Sequence, residues 1–228
     1  MHVPDGFLEA PTSLATGAIA VVGVGLALRY ARRELDDRTA PLAGLVATFV
    51  FATQMVNFPV GSGTSGHLMG GALAAVLVGP ATALLCMSVV FLVQCLLFAD
   101  GGITALGTNI LLMGIVTVAV GWVVFRTLQA VLPRRASMVA PAAALGAFIS
   151  VPAAALAFVG LYAVGGVVDI PLGSLTTAMV GVHTLIGIGE AVITFLAVGS
   201  IAAVRPDLVH GARRVVAERT LELRGAAR

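Results

Sequence analysis

The sequence predicts an all-α fold: a polytopic membrane helix bundle of about seven transmembrane segments with its amino terminus outside. Three observations predict it. Of 228 residues 59% are hydrophobic and 11% charged, with a mean hydropathy of +1.05, whereas a soluble domain is about a quarter charged. Apolar runs long enough for a hydrocarbon core of about 30 Å recur along the chain, ended by glycine, proline or polar residues. The basic residues, all 13 of them arginines, fall in clusters between those runs.

The runs lie at 12–28, 41–56, 68–79, 80–98, 103–125, 138–164 and 175–204. Read as one helix, 68–98 would be about 45 Å long, too long for an upright span, and Gly79-Pro80 breaks it near its middle. Arginine positions decide for two segments. Arg29, Arg32, Arg33 and Arg38 follow the first run, Arg126, Arg134 and Arg135 follow the fifth, and the rest lie in 205–228. Seven spans put every cluster on one side, as the positive-inside tendency favours; six would split them. Residues 1–204 therefore read as one transmembrane domain and 205–228 as a basic cytoplasmic tail. Cys86 and Cys95 are spaced for opposite faces of one helix, so no disulfide is expected between them.

That orientation gathers 1–11, NFPVGSGTSGH at 57–67, the ADGG turn at 99–102 and GGVVDIPLG at 165–173 on the outer face. They carry no basic residue. Asp5, Glu9, Asp100 and Asp169 make the face acidic, which attracts cations, and His2 and His67 share it. Met1-His2 is a chelating dipeptide: the α-amine and the His2 amide nitrogen close a five-membered ring on a metal, and that amide with Nδ1 closes a six-membered one. A bulky second residue also disfavours removal of the initiator methionine. A fourth nitrogen would complete a square-planar site, a geometry that suits Ni(II) or Cu(II) and rules against magnesium or calcium. His67, after the flexible GSGTSG, is the natural fourth donor.

The blocks MHVPDGFL, NFPVGSGTSGHLMGGALAAVLVGP, FADGGITALGTNILLMG and HTLIGIGEAVIT resemble the CbiM/NikM family, the cobalt- or nickel-specific S components of energy-coupling factor transporters. The likeness runs in order from residue 1 to about 204. It implies metal ligation by the Met1 amine, the His2 amide and imidazole, and His67. It also implies Co2+ or Ni2+ as transported substrate with no organic cofactor. The implied partners are a transmembrane coupling subunit, ATPase subunits and a small additional membrane subunit, in the plasma membrane with the metal site on its extracytoplasmic face.

Other polar groups within apolar runs are candidates by cost alone. His183 and Glu190 share a helical face and either help the metal travel or meet interior partners such as Asn109, Gln94 or Thr194. Asn57 and Gln54 are placed to hydrogen-bond the metal loop or to join one span to another. Small residues in the first and second runs, among them Gly23, Ala27, Ala43, Gly44 and Ala47, let helices approach closely and make the second a candidate docking face for the coupling partner. No GxxxxGK[ST] loop, HExxH or GxSxG occurs, which argues against ATP hydrolysis or hydrolase chemistry in this chain, and nothing suggests nucleic-acid binding. The rival expectation is an autonomous metal-ion transporter or channel with a path along His183 and Glu190.

Overall fold

A computed structural model describes residues 1–37, 39–61, 64–133, 135–213 and 215–217. Arg38, Arg134, Arg214, Ser62-Gly63 of the glycine-rich run and the tail from 218 onward lie outside the described residues. Helix α1 (Ala10–Ala31) and helix α2 (Ala40–Gln54) each place a proline in the first turn, where its missing N–H would have no helical partner anyway. A short antiparallel hairpin follows, β1 (Phe58–Gly61) with β2 (Thr64–Gly66), Phe58 opposite Gly66. It corrects the all-α expectation: a run read as loop is a small two-stranded sheet.

Helix α3 (Gly71–Val78) and helix α4 (Pro80–Leu97) meet at Gly79. Its φ of +96° suits glycine and strains any other residue. Leu106–Val131 is one apolar helix of 26 residues, made of α5 (Leu106–Asn109), a π-helical stretch (Ile110–Val116) and α6 (Thr117–Val131). Helix α7 (Val139–Gly165) carries Pro152 inside it, and α8 (Leu172–Val204) is the longest at 33 residues.

Five helices among the described residues are long and apolar enough to cross a membrane unaided: α1, α4, Leu106–Val131, the stretch ending in α7, and α8. The other two expected spans are shorter. Helix α2 has 15 residues, and α3 has eight, about 12 Å of helix. Every residue of α3 is buried, packed among α4, α6 and α7. A segment enclosed by protein need not match the bilayer's thickness, and irregular backbone is tolerated beside it because neighbours satisfy its polar groups. Small residues allow the enclosure: a side chain on Gly146 of α7 would meet the Gly121 carbonyl oxygen of α6 at 2.7 Å.

Contacts sort the connections into two ends. At one end Gly102 N–H donates to the Val3 carbonyl at 2.9 Å, Asn57 Nδ2 to Asp100 Oδ2 at 3.1 Å, and Glu9 N–H to the Gly165 carbonyl at 2.8 Å. The four acidic-face segments expected to assemble do so. At the other end Glu34 accepts the N–H groups of Ala81 and Thr82 at 3.1 and 2.7 Å. Arg213 Nη2 donates to the Glu34 carbonyl, and Gln129 Nε2 to the Gly211 carbonyl, both at 2.9 Å. Val209 and Ala212 are buried, so packing continues past residue 204 into the first turns of the tail.

Candidate metal centre

The amino-terminal segment is built into the bundle rather than draped over it. Asn109 grips Val3 at both main-chain groups: its Oδ1 accepts the Val3 N–H at 2.8 Å and its Nδ2 donates to the Val3 carbonyl at 3.2 Å. Asp5 Oδ1 accepts the Thr104 N–H at 2.7 Å and the Thr104 hydroxyl at 2.5 Å. Val167 N–H donates to the Phe7 carbonyl at 3.1 Å, and the Phe7 ring stacks on Phe158 with centroids 5.7 Å apart. These contacts leave Met1 2% exposed. The terminal amine is pushed down to about 4 by burial, with the Asp100 charge opposing, so at neutral pH it offers a lone pair.

The hairpin delivers His67 to the same place. The His2 and His67 rings stack with centroids 4.6 Å apart and planes 27° apart. His67 is fully buried, and burial, then the nearby amino terminus and His2, hold its imidazole well below its ordinary value.

Hydrogen bonds assign both tautomers. His67 Nδ1 lies 2.7 Å from the Leu68 carbonyl, which can only accept, so Nδ1 carries the proton and Nε2 the lone pair. For His2 the tautomer is set from farther away. The Met69 carbonyl accepts from Gln54 Nε2 at 2.7 Å, Gln54 Oε1 accepts from Gln94 Nε2 at 3.1 Å, and Gln94 Oε1 faces His2 Nε2 at 3.1 Å. A carbonyl at one end polarises the whole chain, so His2 Nε2 donates, and it is Nδ1 that carries the lone pair of the neutral ring. His2 Nδ1 and His67 Nε2 are buried with no hydrogen-bond partner, a costly condition unless something else occupies them.

Among the described residues no group of three His, Cys, Asp or Glu side chains is arranged to hold a metal. Two imidazoles alone make a poor site. The buried Met1 amine and the His2 amide nitrogen are the further nitrogens that could complete a set, and four nitrogens of this kind would suit a late divalent transition metal.

The remaining candidates take different places. Asn57 binds Asp100 rather than the His67 loop, whereas Gln54 reaches that loop and Gln94 reaches His2. Glu190 corrects an expectation: instead of Asn109, Gln94 or Thr194 it accepts the Met69 and Gly70 N–H groups at 2.7 and 2.8 Å, anchoring the turn after His67. His183 Nδ1 bonds the Met179 carbonyl one turn back at 2.7 Å, and its buried Nε2 has no hydrogen-bond partner. From sequence alone Asp100 reads only as surface charge. Its Oδ1 lies 3.1 Å from His2 Nδ1, off the hydrogen-bonding direction; an acid beside a Gly-Gly turn was the signal available.

Known proteins share most of the chain's length. Residues 2–208 match the family described as CbiM, cobalt uptake substrate-specific transmembrane region. A putative metal transport protein of Haloquadratum walsbyi is 40% identical over 209 residues, 92% of this chain and 93% of that one. A cobalt transport protein CbiM of Sorangium cellulosum is 34% identical over 92% of this chain and 94% of its own length. A putative fused nickel transport protein NikMN of Archaeoglobus fulgidus is 38% identical over 92% of this chain and 68% of its own. A crystal structure of a transition metal transporter superposes with a TM-score of 0.82 at 30% identity, covering 90% of this chain and 93% of that one. With its buried N-terminal nitrogens and apolar helix bundle, the chain belongs to the CbiM family of cobalt and nickel transport membrane proteins.

Proposed function

We propose that this protein is the substrate-binding membrane subunit of an energy-coupling factor transporter that imports Co2+ or Ni2+. The observation that carries the reading is the pair of buried nitrogens without a hydrogen-bond partner, His2 Nδ1 and His67 Nε2, on stacked rings beside a buried terminal amine. Met1, His2 and His67 hold the metal. Gln94 and Asn109 orient the N-terminal segment, Gln54 extends that hydrogen-bond chain, and Glu190 fixes the His67 turn. Hydrolysis of ATP belongs to separate subunits, joined to this chain through a transmembrane coupling protein, with a small additional membrane subunit completing the complex.

The chain crosses the plasma membrane about seven times, α2 and the enclosed α3 included, with its amino terminus outside. Support comes from charge: the end holding residues 1–9, Asn57, 100–104 and 165–167 has no basic residue, and the end holding Glu34 and Gln129 has Arg213, the asymmetry the positive-inside rule describes. A second reading, an autonomous transporter with a path along α8, draws on the unpartnered His183 Nε2. Metal uptake into proteoliposomes that contain this chain alone would establish it.

The site is tested through its amine. One residue added before Met1 turns the primary amine into an amide, so N-terminally extended protein should lose high-affinity binding of nickel and cobalt, C-terminally tagged protein should keep it, and proteolytic restoration of Met1 should recover it. Full metal occupancy in the extended form sinks the proposal.

A further inference from the structure

We infer that Asp100 is the capture ligand of this site: its carboxylate takes the divalent metal from solvent and hands it to the nitrogen set through His2 Nδ1. The inference rests on the proposed nitrogen site and adds the route by which that site fills. The nitrogen donors are sealed. His67 is fully buried and the His2 side chain is 3% exposed, whereas Asp100 is 19% exposed and lies against His2.

The two facing atoms are both suited to a cation. The glutamine chain engages His2 Nε2 and turns Nδ1 towards Asp100, whose Oδ1 stands 3.1 Å from it without hydrogen-bond alignment. A carboxylate oxygen and an imidazole nitrogen at that distance are held together by a positive species, a proton or a metal ion, that both can bind. The spacing also fits neighbouring ligands of one ion, because metal bonds of about 2.0–2.2 Å meeting near a right angle put their donor atoms roughly 3 Å apart.

Asp100 is held for this task on its other side. Asn57 Nδ2 occupies Oδ2 at 3.1 Å, and the Asp100 N–H donates to the Gln94 carbonyl at 3.1 Å, tying the turn to the residue that orients His2. The turn is unusual backbone, with φ +52° at Ala99 and +93° at Gly101. A side chain on Gly101 would come within 2.8 Å of Asn109 Nδ2 and 3.4 Å of the His2 ring, so the missing side chain keeps the turn close against the donors.

The test is rapid mixing of Ni2+ or Co2+ with the full chain, its amino terminus free, followed by the absorbance of the bound ion. Asp100→Asn should slow association about tenfold, Asp100→Glu should restore it to within about threefold, and Asp169→Asn, a change of charge on an exposed residue of the same end, should leave it within about twofold. Asp100→Ser carries the same expectation if the asparagine variant does not fold. The spectrum after equilibration should match the parent in every Asp100 variant, because the resident donors are nitrogens. An unchanged association rate in Asp100→Asn overturns the inference, and so does an altered spectrum, which would make Asp100 a resident ligand. His67→Ala, run alongside, separates the two levels: if it binds metal as the parent does, the nitrogen site fails and the capture role with it.

Discussion

Glu190, on the last helix, accepts the backbone N–H of Met69 at 2.7 Å across 121 positions of sequence, and that of Gly70 at 2.8 Å. The turn that presents His67 is therefore held by α8. Gly70 sits there at φ +80°, a conformation glycine adopts freely, and a buried N–H left without an acceptor costs about 1–3 kcal/mol. An intramembrane carboxyl that from sequence either helps the metal travel or meets interior partners has its partners in the backbone of the metal loop.

Glu190→Gln should thus weaken metal binding, by roughly tenfold. Glutamine offers one oxygen and one NH2 group, so one of the two N–H groups faces a donor whichever way the amide turns. Equilibrium dialysis with Ni2+ and Co2+ measures the loss. Affinity within twofold of the parent would show that the turn holds without its anchor.

The glutamine chain makes a prediction about coupling. Gln94→Leu removes the partner of His2 Nε2 and should lower metal affinity by about 10–100-fold, the usual effect of losing the group that orients a metal-binding imidazole. Gln54→Leu, one step back, should act in the same direction but less strongly. Because both work through one chain, the double variant should cost less than the sum of the singles. Strict additivity in dialysis would separate Gln54 from the site.

The buried amine predicts a pH dependence of the metal-free protein. Its ordinary value is 8.0 and its folded value about 4, so between those values the unfolded chain holds a proton that the folded chain lacks. Stability then rises with pH across that window, and falls on acidification from about 8 towards 4. His67, also lowered, adds a loss of the same sign only below its ordinary 6.5, so pH 6.5–8 lies above its window. The midpoint of thermal unfolding in detergent should fall from pH 8 to 6.5, and this slope should flatten in protein extended before Met1. Identical slopes in the two proteins would place the amine outside the bundle.

At the opposite end, Glu34 caps α4 by accepting the N–H groups of Ala81 and Thr82, where a helix N-terminus favours negative charge. Glu34→Ala should cost about 1–2 kcal/mol, lowering the unfolding midpoint by roughly 2–8 °C, with metal affinity unchanged. Loss of affinity in a folded Glu34→Ala protein would mean that the two ends communicate.

What the sequence determined by itself is what depends on near neighbours in the chain. Lipid compatibility is a sum over successive residues, so the apolar runs could be placed, and the break at Gly79-Pro80 follows from the geometry of two adjacent residues. A Met-His chelate closes through consecutive atoms, so it too was legible. That His67 joins His2 was legible too, from the arginine topology and the motif blocks, but tertiary structure decided the finer joins between distant positions: Gln54 to Gln94 to His2, Glu190 under Met69, and Asp100 beside Nδ1. It also decided that α3 is a short enclosed helix and that the glycine-rich run begins as a hairpin. The physical reason is that a buried polar group takes whichever partner the packed helices bring within about 3 Å, and apolar periodicity says which faces are covered without saying what covers them.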